Sequence, residues 1–170
     1  MENPAPQVYS TLTVADGLVG WSAHDINRGP NDVSTIEVFD LIRHLRDPEH
    51  PTLSLEQLRV VKIEDVVLEI GGTGPSCDVL VKFTPTVPTC SVATVIGLAI
   101  IAKLSFCLPS YCNIRVSIAQ GTHDQETSVN KQLADKERVS AALENPNLMR
   151  MIKRSVKNAD RLPAKMQLFG

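Results

Sequence analysis

Residues 92–102 form an almost unbroken apolar run that ends at Lys103, and no other stretch limits the fold as strongly. A helix that is apolar all round must be buried on every side or sit in lipid. Crossing a bilayer takes about 20 apolar residues, and this run stops well short of that. The chain must therefore wrap other elements around a central helix that spans roughly 91–108 and ends at Pro109. With 170 residues, 43% of them hydrophobic and 21% charged, it can supply them.

The flanking pattern says what those elements are. Ser34 and Glu37 have capping-box spacing, and Ile36, Phe39, Ile42 and Leu45 then recur at helical intervals, so a helix is predicted from 35 to the Asp47-Pro48 stop. A turn or short helix is expected over 53–58. Residues 61–70 are rich in β-branched side chains. In 77–84, Cys77, Val79, Val81 and Phe83 alternate with more polar neighbours. The two read as an antiparallel hairpin across the glycine-rich loop 71–76. A third strand is expected over 114–118, a turn at Gly121-Thr122-His123, and one long charged helix over 125–143. Asn145-Pro146 looks like an N-cap followed by proline at the first helical position, opening a last helix on Leu148, Ile152 and Val156. The order α-β-β-α-β-α-α defines an α+β fold, a small mixed or antiparallel sheet packed with helices. It occupies 34–157, between a flexible N-terminal arm (1–33), which holds Trp21 and His24, and a loose tail (158–170).

Composition excludes several functions. A net charge of −2 gives no general attraction to nucleic acid, and 4% aromatics leaves little for base stacking. The N-terminus has neither the basic-then-apolar order of a secretory signal nor the arginines of a transit peptide, so the four cysteines are expected as free thiols in a reducing compartment. Gly71-Gly72-Thr73-Gly74 lacks the Lys-Ser/Thr of a phosphate loop.

Cys90 is the residue most suited to chemistry. It lies between Thr84-Pro85-Thr86-Val87-Pro88-Thr89, stiffened by two prolines, and the start of the apolar helix. Amides and the helix dipole at such a place would favour a thiolate; a small buried core residue is the bland alternative. Cys77 reads as an inward strand residue and Cys107 as a core residue near a helix end. There is no CxxC pair, and a cluster held by this chain alone would need all four thiolates to converge, so a stand-alone metal site is poorly supported. A cysteine enzyme would use Cys90 as nucleophile, His123 as base and Asp124 to orient it, but nothing in the spacing selects these three. Asp47-Pro48-Glu49-His50-Pro51 is a rigid acidic turn; His44 and His50 fall near the end of the first helix, where cations suit the dipole.

Long motifs then occur in a specific order. They are Val38-Phe39-Asp40-Leu41-Ile42-Arg43, Asp47-Pro48-Glu49-His50-Pro51, Phe83-Thr84-Pro85-Thr86-Val87-Pro88-Thr89-Cys90-Ser91, Gly121-Thr122-His123 and 130–148. Over about 35–156 the chain resembles the eukaryotic cytosolic iron–sulfur assembly component two family, within a wider domain family that includes bacterial SufT-like and PaaD-like proteins. The resemblance implies an α+β fold and a non-catalytic adaptor in a targeting complex with a β-propeller protein and a large helical-repeat scaffold. That complex hands [4Fe–4S] clusters to apo-proteins of the cytoplasm and nucleus, with a linked role in chromosome segregation. It implies no permanently bound cofactor, only transient contact with a cluster or metal at Cys90, and no direct nucleic-acid or membrane contact. Thr84, Pro85, Thr86, Pro88 and Ser91 form the motif loop around the thiol, and Asp47 and Glu49 its acidic turn. His123, Asn130, Lys131, Asp135, Lys136 and Arg138 make a candidate partner surface, and a homodimer is compatible with the sequence. Two departures stand out: Thr89 occupies a position that is often histidine in the family, and 104–112 lacks the family's basic residues but carries Cys107 and Cys112.

Overall fold

The computed structural model describes residues 3–11, 33–71 and 76–157; Trp21, His24, the centre of the hairpin loop and the tail lie outside them. The apolar run forms α2 (Ala93–Cys107), and 11 of its residues from Ala93 to Leu104 are buried. No described helix is long and apolar enough to cross a membrane. A three-stranded sheet lies in the order β1 (Val66–Ile70), β2 (Cys77–Phe83), β3 (Cys112–Ile118). β1 and β2 are antiparallel, whereas β2 and β3 are parallel because α2 is the crossover between them. The sheet is therefore mixed. Cys77, Val79, Val81 and Phe83 on β2 share the core with Val116 and Ile118 on β3 and with α2.

α1 (Thr35–Arg43) opens as expected, with Ser34 Oγ accepting the Glu37 amide at 3.2 Å. It stops before the Asp47-Pro48 signal, at a His44 C-cap. Its buried face is Val38, Phe39, Ile42 and Arg43, and Ile36 is exposed. The strand expected over 61–70 begins only at Val66, because 63–65 close a 3-10 turn in which Asp65 N–H donates to Lys62 O. The region 53–58 is turns, with the Val60 amide donating to Leu55 O at 2.8 Å. Near the N-terminus, Tyr9 N–H donates to Gln57 O at 2.8 Å and Arg59 stacks over the Tyr9 ring, while Val33 packs in the core.

The single helix expected over 125–143 is two, α3 (Glu126–Ala134) and α4 (Lys136–Glu144). Asp135 breaks it: its backbone is extended and its Oδ1 accepts the Glu137 and Arg138 amides, so capping chemistry overrides the helical charge pattern. Asn145 Oδ1 likewise accepts the Asn147 amide at 2.9 Å and starts α5 (Pro146–Lys157), which buries Ile152 and Val156 against α2. α3 comes close to α2 only because residue 97 is glycine; a Cβ there would lie 2.5 Å from Leu133 Cδ1.

Cys77 and Cys112 are register partners across β2 and β3. Burial first, and then the hydrogen bond to Cys77, push the Cys112 thiol from its ordinary value of 9.0 up to about 12. Burial also raises Cys107, whereas burial lowers Lys103. A thiol that titrates later in the fold than in the unfolded chain contributes stability that is complete below pH 9.0 and is lost as pH rises towards about 12. Lys103 acts in the opposite sense below 10.5, since its neutral form is favoured in the fold. Comparing wild type with Cys112→Ala separates the two. The urea midpoint of wild type should fall more steeply than that of the variant between about pH 9 and 11; parallel curves would show that this thiol pair does not govern alkaline stability.

Candidate functional site

Phe83 O, at the end of β2, accepts the Ala119 amide, and the next residue, Thr84, donates its amide to Val60 O at 2.8 Å. The proline loop begins from this fixed point. Pro88 O accepts the Asp124 amide at 2.9 Å, and Cys90 N–H closes a turn on Val87 O at 3.2 Å. Pro85 is buried, Thr84 and Thr86 are half-buried, and Pro88 and Ser91 face solvent. The loop delivers Cys90, 4% exposed, to the entrance of α2.

The amides of Val92 and Ala93 hydrogen-bond the sulfur, as its position before a helix predicts. They do not make it a thiolate. Burial is the larger influence and pushes the Cys90 thiol up, and the nearby Glu49 and Asp47 carboxylates add to that rise. Of the two alternatives that position left open, a thiolate and a small buried residue, the burial favours the second, and the acidic neighbours add to the same direction.

Those neighbours form a compact group. Asp47, 2% exposed, accepts the Glu49 and His50 amides on Oδ1, both at 2.8 Å. Ligand atoms of Asp47, Glu49 and His50 all lie within 4.8 Å of one another, and His50 Nε2 is buried with no hydrogen-bond partner among the described residues. Ser91 Oγ approaches Glu49 Oε1 at 3.5 Å, joining the turn to the cysteine loop. Two carboxylates and an imidazole could take a divalent cation. His50 is the member that sequence reasoning missed; the signal was its place in the rigid turn, not its distance from the helix end.

His123 does not stand as a base for Cys90. Its Nδ1 accepts the Gln125 amide at 3.0 Å, which places the ring proton on Nε2, and Nε2 donates to the Cys90 carbonyl at 3.0 Å. Both nitrogens are committed to backbone, and Asp124 contributes an amide to Pro88 rather than orienting the ring. The three residues of the hypothetical enzyme are neighbours, but they are assembled as a brace. Gly121, at φ 75°, makes the turn that carries His123, and its amide donates to Glu126 Oε2 at 2.6 Å. Asn130 lies elsewhere, on α3, where its Oδ1 accepts the amide of Ile118 at the end of β3 at 2.8 Å. Lys131, Lys136 and Arg138 are exposed on α3 and α4, and Arg138 pairs with Asp135 at 3.3 Å.

Fold and site together define a small α+β domain that holds one guarded thiol beside an acidic turn. Three relatives match it over most of their length. The Mus musculus protein "cytosolic iron-sulfur assembly component 2B" is 45% identical over 152 residues, 89% of this chain and 88% of the mouse protein. The Drosophila melanogaster "MIP18 family protein galla-2" is 46% identical over 156 residues, 92% of this chain and 95% of the fly protein. The Caenorhabditis elegans "MIP18 family protein F45G2.10" is 47% identical over 152 residues, 89% of this chain and 92% of the worm protein. The chain belongs to the cytosolic iron–sulfur assembly component 2, or MIP18, family. No protein-family model matches it.

Proposed function

We propose that this protein is a non-catalytic adaptor in cytosolic iron–sulfur protein assembly, and that Cys90 is the point at which it touches cluster cargo. The supporting observation is the thiol itself, fixed at the loop–helix junction and facing Asp47 and Glu49, in a chain 45% identical to a named assembly component. Burial and the two carboxylates keep the thiol protonated. It would ionise when a cation replaces its proton, since metal coordination deprotonates a thiol outright. One thiol cannot complete a [4Fe–4S] ligand set; the other ligands would come from partner chains. Those partners are a β-propeller protein, a helical-repeat scaffold and the apo-protein clients, met in the cytoplasm and, for clients that act on DNA in chromosome segregation, in the nucleus. The Asp47–Glu49–His50 group favours a second reading, a metal-binding protein in its own right.

Affinity capture from cytosol, with wild type beside Cys90→Ala, tests both parts. Both proteins should retain the propeller and scaffold partners, while loading of an apo-client with [4Fe–4S] should fail only with the variant. Absence of those partners on the wild type would sink the adaptor reading. Equal client loading by the variant would remove Cys90 from transfer. Stoichiometric metal in anaerobically purified single chain would favour the second reading.

A further inference from the structure

β3 is an edge strand: β2 covers one side, and no described strand covers the other. The hydrogen bonds fix which groups face outward. Ala119 N–H points to Phe83 O on β2, whereas Ile118 N–H points the opposite way, to Asn130 Oδ1 on α3. Backbone groups alternate along a strand, so the amides and carbonyls of Ile114 and Val116 share the outer side with Ile118. α3 closes this edge at its end, where Asn130 holds Ile118. Before that point, a cavity of about 840 Å³ runs between β3 and the α3–α4 pair, with Ile101, Leu133 and Val139 among its apolar walls. Among the described residues its charged lining is Lys82, Arg115 and Lys136, with no carboxylate. Asp78 partly offsets Arg115, at 3.3 Å, from outside the lining.

We propose that this groove binds an extended acidic peptide segment of a partner protein, which adds to β3 as a fourth strand. An open strand edge supplies main-chain hydrogen bonds, and pockets beside it accept alternate side chains. Apolar residues of the segment fill the wall of Leu133 and Val139, and its carboxylates meet Lys82 and Lys136. Cys90 takes no part, so the proposal stands or falls independently of cluster transfer.

The probe is a fluorescein-labelled peptide as long as β3 with alternating valine and glutamate, titrated by fluorescence anisotropy against the full chain and followed by amide hydrogen exchange. Saturable binding is expected, with slowed exchange at Ile114 and Val116 and unchanged affinity in Cys90→Ser. Lys82→Glu/Lys136→Glu should weaken binding about tenfold, the sum of two exposed charge reversals. N-methylating the peptide amides that face β3 should cost about tenfold or more. The proposal is overturned by equal binding of a valine–lysine peptide, by indifference to N-methylation, or by no binding. It is also overturned if sedimentation shows a dimer whose second copy protects the same two amides without peptide.

Discussion

Phe83→Ala is expected to lower the free energy of unfolding by about 3–5 kcal/mol, the range for deleting a fully buried aromatic ring. Phe83 is 0% exposed, closes β2, and is the register partner of Ile118. Its carbonyl and the next amide, Thr84 N–H, fix the start of the proline loop on Ala119 and Val60. The cavity therefore opens under the segment that carries Cys90, and the damage should reach the thiol. Urea denaturation measures the first effect. Site-resolved alkylation measures the second, with Cys90 slow in wild type and faster in the variant under native conditions. Phe83→Leu, which keeps most of the volume, should cost less than about 1.5 kcal/mol and leave Cys90 slow. A loss below about 1.5 kcal/mol for the alanine variant would mean that the ring is not a support of the loop.

Features with local causes were legible in the sequence. Ser34 and Asn145 announce their helices because an N-cap is a short-range bond, and β2 is visible because its alternation has a period of two. Asp135 was in plain view, but helix periodicity and ion-pair spacing on either side outweighed it in the reading. Only the extended backbone shows that its carboxylate serves α4 rather than continuing α3. The β-branched residues at the start of 61–70 misled similarly: Val61, like Val60 before it, is buried in a turn that returns to Leu55 O, so burial, not strand pairing, explains its type. The parallel pairing of β2 with β3 was implicit in strand, long helix, strand. At the site, position marked Cys90 and the rigid acidic turn, but they lie more than 40 residues apart in the chain. Their approach, which adds to the rise that burial imposes on the thiol, is a tertiary fact.

A second large effect is expected from Glu56→Ala, again about 3–5 kcal/mol, because it removes one partner of a buried ion pair. The Arg43 and Glu56 side chains are 6% and 8% exposed, and Arg43 Nε lies 3.5 Å from Glu56 Oε2. Arg43 also meets Asp40 at 3.4 Å, but that carboxylate is 33% exposed and weaker for it. The pair joins the end of α1 to the 53–60 turns, and a backbone bond from Glu56 N–H to Arg43 O runs alongside it. Those turns end at Val60, whose carbonyl receives Thr84, so the pair stands two links from the cysteine loop. Alanine at 56 would leave the buried guanidinium without its most buried carboxylate partner. Replacing both partners by apolar residues of similar size, Arg43→Met/Glu56→Leu, should recover most of the loss, because desolvation of two charges offsets much of their attraction. Denaturation of wild type, Arg43→Met, Glu56→Leu and the double variant at one pH forms a complete cycle. Similar losses in the singles, with recovery in the double, would assign the cost to an uncompensated buried charge. A double variant as unstable as the sum of the singles would instead mean that this pair dictates how α1 seats against the turns, and Cys90 alkylation should then accelerate in all three.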